Sequence, residues 1–200
     1  MAAEKLYETW ASRNPQWETK YEDLIKSICN YGKGETSMRE VSSKFFGAGY
    51  ELFIVAFFIG LYSDRRKPLI DDVTKRKNFG WSIENWGNIE RRSLRNNYSD
   101  YEKPKVRKPY PKIREYIFAA LIARTDFDFI ALERGETTLR KAVDALITTM
   151  EEYANFGFQY IKERTEDNPN WIFKETAFLE IFMGFTSSEP DSDDDEPEEL

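Results

Sequence analysis

Apolar positions along this chain recur mainly at three- and four-residue steps, the spacing of one helical face. Leu6 and Trp10 open a short first helix that should stop near Asn14 and Pro15, because proline disfavours the α region for the residue before it. Pro15 suits the first turn of a second helix, whose face is Trp17, Tyr21, Leu24, Ile25 and Ile28 and which Gly32 and Gly34 end. Thr36, Ser37 and Glu40 read as a capping box for a third helix that runs through Val41, Phe45 and Tyr50 to about Ser63. Over 52–62 that helix is apolar nearly all round, which predicts the central helix of the fold.

The periodicity lapses over 64–110 and returns at 112–124, where Ile113, Ile117 and Leu121 share a face. A turn at 125–129 leads to a short helical stretch from Phe129 to about Arg134. The longest helix is predicted over 137–166, with Leu139, Val143, Leu146, Ile147, Met150, Tyr153, Ala154, Gly157, Phe158 and Ile161 in one stripe. Asn168-Pro169 breaks it, and 171–185 forms a last amphipathic helix. The pattern predicts an all-α fold: one compact domain of about six to eight helices over 1–186, with a basic irregular insertion. An exposed loop is expected at 95–111, and a disordered acidic tail at 187–200 that is too polar to bury surface.

Charge sharpens this picture. The net charge is −7, yet residues 189–199 carry eight acids and no base. Residues 65–114 hold fifteen Lys and Arg against six Asp and Glu. A basic middle and an acidic end imply an anionic partner, contact between the two segments, or both. There is no histidine, which excludes imidazole acid/base catalysis, His-containing triads and His metal ligands. Cys29 is the one cysteine, so an intramolecular disulfide and a thiolate zinc site are excluded, and its place in an apolar stripe predicts a buried structural thiol. The first ten residues lack the apolar core of a signal peptide, and the run 52–62 is too short to span a bilayer. A cytoplasmic protein without membrane contact is expected.

The candidate chemistry is basic. Arg65-Arg66-Lys67-Pro68-Leu69 follows the central helix; one or two of its cations fit helix-dipole compensation, and the others fit phosphate binding. Lys75, Arg76, Lys77, Arg91, Arg92, Arg95, Lys105, Arg107 and Lys108 extend the basic set, interleaved with Phe79, Trp81 and Trp86. Such rings can stack on bases, although tryptophans in a chain of this size more often fill a core. Glu151 and Glu152, with Asp144 and Asn155 a turn away on either side, suggest a metal-carboxylate site only superficially. Adjacent helical positions point apart, and pairing of one glutamate with Arg65 or Arg66 is the expectation. Gly157 inside a strong helix implies close packing of another helix, against Gly47, Gly49 or Gly60. Neither GxxxxGK[ST] nor GxGxxG occurs.

The order Phe53, Ala56, Gly60, Arg65-Arg66, Pro68-Leu69, Phe79, Trp81, Ile117-Phe118-Ala119-Ala120 and Glu151-Glu152-Tyr153-Ala154-Asn155-Phe156-Gly157 resembles the small accessory proteins associated with bacterial DNA phosphorothioation and its linked restriction. The resemblance covers about 45–162; the stretch 88–111 is longer and more basic than that pattern, and the first forty residues and the tail lie outside it. It implies a context of DNA modification or phage defence and transfers no catalytic residue, metal or cofactor. The leading expectation is a non-enzymatic accessory protein that engages duplex DNA, or a DNA-bound component of a modification and restriction system, through its basic centre. The alternatives are an assembly subunit without nucleic-acid contact and, behind it, a carboxylate- and metal-dependent nuclease.

Overall fold

The computed structural model describes residues 2–29, 45–86, 111–174 and 176–186. Two helices make the centre. Helix α3 (Gly49–Tyr62) is buried on almost every side, as its apolar sequence requires. It follows α1 (Ala2–Ala11) and α2 (Glu22–Ile28). Helices α4 (Pro111–Arg124) and α5 (Phe129–Glu133) precede the 29-residue α6 (Leu139–Asp167), and α7 (Ala177–Thr186) closes the described chain. Thr138 caps α6, its hydroxyl accepting from the Lys141 N–H at 3.3 Å.

Helices α3 and α6 run antiparallel and touch backbone to backbone. Gly157 lies against Ala56 and Gly60 against Tyr153, so close that no side chain fits between. The close packing read from Gly157 is therefore present, with Ala56 as partner rather than Gly47, Gly49 or Gly60. Aromatic rings fill the flanks. Phe118 of α4 packs edge-on to Tyr7 at 5.1 Å and lies 5.3 Å from Trp10. Tyr21 stacks on Phe158 at 5.3 Å. Trp86 is buried flat against Tyr50 at 5.8 Å, and Trp81 packs partly buried against the core, so both tryptophans serve the core. Cys29 is buried as expected.

Four expectations are corrected. The chain is predominantly helical but not all-α: β1 (Gln16–Glu18) pairs antiparallel with β2 (Arg76–Asn78), Trp17 opposite Lys77. Trp17 and Tyr21 stand four residues apart on a strand and a 3-10 turn rather than on one helix, so the second helix starts only at Glu22. The helix that holds 52–62 starts at Gly49 and does not run on from Phe45, because 45–48 are not helical. Phe46 is bridged to Cys29, its N–H donating to the Ile28 carbonyl at 3.1 Å, and the Glu51 carboxylate turns back to accept from the Gly47 N–H at 2.9 Å. The last helix begins six residues late, because Trp171–Phe173 form a separate 3-10 turn. The capping box at 36–40, the loop from 95 to 110 and the tail at 187–200 lie outside the described residues; Pro111 already belongs to α4. Among the described residues no helix is long and apolar enough to cross a membrane.

Candidate functional site

The basic turn owes its place to the way α3 ends. Asp64 takes a left-handed conformation (φ 51°), the Arg65 N–H donates back to the Gly60 carbonyl at 3.0 Å and the Asp64 N–H to Leu61 at 3.2 Å. This is a Schellman closure with aspartate where glycine is usual. The chain then crosses α6. The Lys67 N–H donates to the Glu152 carbonyl at 3.0 Å. The amide nitrogen of buried Asn155 is 2.8 Å from Glu18 Oε1, and 3.1 and 3.0 Å from the carbonyls of Lys67 and Pro68. Glu18, also buried, accepts the Ile70 N–H at 3.0 Å and pairs with Lys20 at 2.5 Å. Burial opposes its charge, but hydrogen bonds from Lys20, Asn155 and Ile70 prevail and hold its carboxyl below the usual range. The two segments that stand out in the sequence, 65–69 and 151–157, thus meet in space.

Asn155 is the pin of this crossing. Asn155→Leu, which keeps the volume, strands the Lys67 and Pro68 carbonyls and weakens the Glu18 cage. A loss of about 2 kcal/mol is expected, with faster amide exchange at Lys67 and Ile70. Unchanged urea stability and exchange would show that the crossing holds without Asn155.

The cations of the turn rest on rings. The guanidinium of Arg66 lies 4.9 Å from the centre of the Tyr153 ring and that of Arg65 5.8 Å from Phe156; one turn on, Arg164 lies 5.3 Å from Tyr160. The three rings occupy one face of α6. Arg66 also donates to the Arg124 carbonyl and stands 3.7 Å from exposed Asp126, while Lys67 donates to Gln159 at 3.3 Å. The expected ion pair of Glu151 or Glu152 with Arg65 or Arg66 does not form: rings and carbonyls take its place.

The other predicted cations divide. Lys75 pairs with Asp72 at 3.6 Å and Lys77 with Glu22 at 2.6 Å, whereas Arg76 donates to the Ile70 carbonyl at 2.5 Å. A ring faces Arg65 and a carbonyl accepts from Arg76, neither cancelling the charge; Lys75 and Lys77 are locally compensated, and Arg66 in part by exposed Asp126. Arg91, Arg92, Arg95, Lys105, Arg107 and Lys108 lie outside the described residues.

The polar residues singled out around Glu151 part company. Asn155 sits beneath the turn, while Asp144 and Glu151 line a cleft elsewhere on α6, and Asp144 is paired with Arg13. Among the described residues no three acidic or thiol side chains gather where a metal could bind. Sequence reasoning missed Glu18 and the Arg164–Tyr160 pair. The spacing of Phe156, Tyr160 and Arg164 carried a signal, a second helical stripe that borders the apolar one at Tyr153.

No family model, no curated protein and no solved structure matches this chain.

Proposed function

We propose that this protein is a non-enzymatic accessory protein that engages duplex DNA, or a DNA-bound partner, through the turn 65–67 and the adjoining face of α6. The observation that carries the reading is the row of three arginines held over Tyr153, Phe156 and Tyr160. Guanidinium groups ordered by rings keep their charge and lose little freedom when they meet phosphate oxygens. The resemblance to phosphorothioation-associated proteins supplies a context of DNA modification or phage defence, and the acidic tail would compete with DNA for the basic surface.

Mobility shift on one duplex at several salt concentrations tests this. Replacing Arg65, Arg66 and Arg164 together with Ala should weaken binding at least tenfold, with the helical signal intact. The salt slope should fall by about one for each phosphate that the variant no longer neutralises. Removal of 187–200 should strengthen binding. Equal binding by the triple variant and the parent would sink the reading.

One observation favours the assembly alternative. Tyr62 and Tyr116 are each about half exposed with their hydroxyls 3.2 Å apart, and Phe58 lies beside both, an aromatic patch of the kind that protein interfaces use. A partner captured by the parent but not by a Tyr62→Ser, Tyr116→Ser variant, and not displaced by duplex DNA, would favour that alternative.

A further inference from the structure

A cleft of about 500 Å³ opens between the turn after α1 and the side of α6 roughly opposite the arginine row. Its chemistry is set by acceptors. Glu151 projects from α6, and its Oε1 accepts the Gln16 N–H at 2.7 Å. Its Oε2 has no donor among the described residues. Asn14, on the facing turn, has its amide oxygen buried without a donor. Asp144 borders the same cleft one helical repeat away, held by Arg13 and, at 3.7 Å, by Arg140. A buried acceptor left without a donor is costly, so Asn14 Oδ1 marks this wall as short of donors, and the second Glu151 oxygen, which solvent still reaches, adds a charge to it.

We propose that this cleft binds a small organic cation, an alkylammonium or guanidinium group whose N–H donors meet Glu151 Oε2, the carboxylate oxygen that the Gln16 N–H leaves free. Such groups carry donors only, and their charge suits a half-buried carboxylate. The volume lies within the range of small-molecule sites. An anionic ligand would face Glu151 and Asp144 and would leave Glu151 Oε2 without a donor, since Arg13, also in the lining, is engaged by Asp144. The hydroxyl of Thr148, which also lines the cleft, offers a further polar contact.

Proton linkage gives the site a signature. Burial pushes the Glu151 carboxyl up to about 7, against the pull of the Gln16 N–H and of the Arg76 and Arg13 charges, and with Glu152 pushing the same way as burial. A bound cation requires the carboxylate, so binding near pH 7 expels up to about half a proton and weakens roughly tenfold between pH 8 and pH 6.

The test is calorimetric titration of the full chain with agmatine, which carries both candidate groups, in two buffers of different ionisation enthalpy. Saturable binding with proton release at pH 7, roughly tenfold weaker at pH 6 than at pH 8, is expected. Glu151→Gln keeps the acceptor for Gln16 and should bind at least tenfold more weakly. Thr148→Trp, at an exposed position, should block the cleft and give the same loss with the carboxyl untouched. No binding at millimolar agmatine, or binding that is free of proton release or equal in Glu151→Gln, would overturn the proposal.

Discussion

Gly157→Ala should destabilise the protein by about 3 kcal/mol, although alanine is the better helix former. Relief of the glycine penalty contributes only about 1 kcal/mol in favour of the variant. Against it, a methyl at 157 would stand 2.6 Å from the Ala56 Cα and closer still to its carbonyl oxygen. Those are backbone atoms of a buried helix, so the strain can be relieved only by moving α3 and α6 apart. That undoes packing on both sides of the crossing, and overpacking of this kind costs from about 1 to 3 kcal/mol or more. Gly60→Ala should behave alike, since its methyl would lie 2.9 Å from the Tyr153 Cα. In a chain of this size the loss would lower Tm by about 6–12 °C. Thermal unfolding of both variants measures it, and a Tm equal to the parent's would mean that the helices do not approach this closely.

Glu151→Gln should raise stability at pH 8 by about 3 kcal/mol and leave it nearly unchanged at pH 4.5. The folded protein holds a proton on Glu151 up to about pH 7, whereas the unfolded chain releases it near the ordinary value of 4.5. Between those values the folded state binds more protons. Stability contributed by the neutral carboxyl is therefore present at low pH, is lost as pH rises through the window, and is fully lost above about 7. Glutamine keeps the acceptor that Gln16 uses and removes the titration. Urea unfolding of parent and variant at pH 4.5, 6 and 8 isolates the effect, because the other carboxylates, among them the depressed Glu18, cancel in the difference. Parallel pH profiles for the two proteins would show that Glu151 is solvated.

What was legible in the sequence was the pair of helices that bury most. Residues 52–62 are apolar on every side, and the stripe from Leu139 to Ile161 keeps one face for six turns; both patterns are local and survive any tertiary context. The sheet was not legible because its strands, 16–18 and 76–78, are three residues each and find their signal only in each other. Trp17 happened to fall in phase with Tyr21 and Leu24, so a helical reading absorbed it. Charge counting found the basic centre but not its division, since whether a lysine meets Asp72 or an arginine meets a ring is decided by neighbours far off in sequence. Glu151 and Glu152 are equal as letters; only their angles on α6 send one into a cleft beside Gln16 and leave the backbone of the other to receive Lys67.

The crossing of Ala56 with Gly157 joins positions about a hundred residues apart, and this bears on how fast the protein folds. Closing so long a loop is cheap at equilibrium, each doubling of length adding only about 0.6 kcal/mol. Kinetically it is the slow event, because the closure entropy is lost before the contact returns anything. Helices α3 and α6 can each form early, and the turn closed by Asp64 can form with α3, holding Arg65 to Pro68 ready to dock. The rate is then set by the first productive encounter of the two glycine-notched surfaces. A methyl at either notch acts at that encounter and slows folding more than it speeds unfolding.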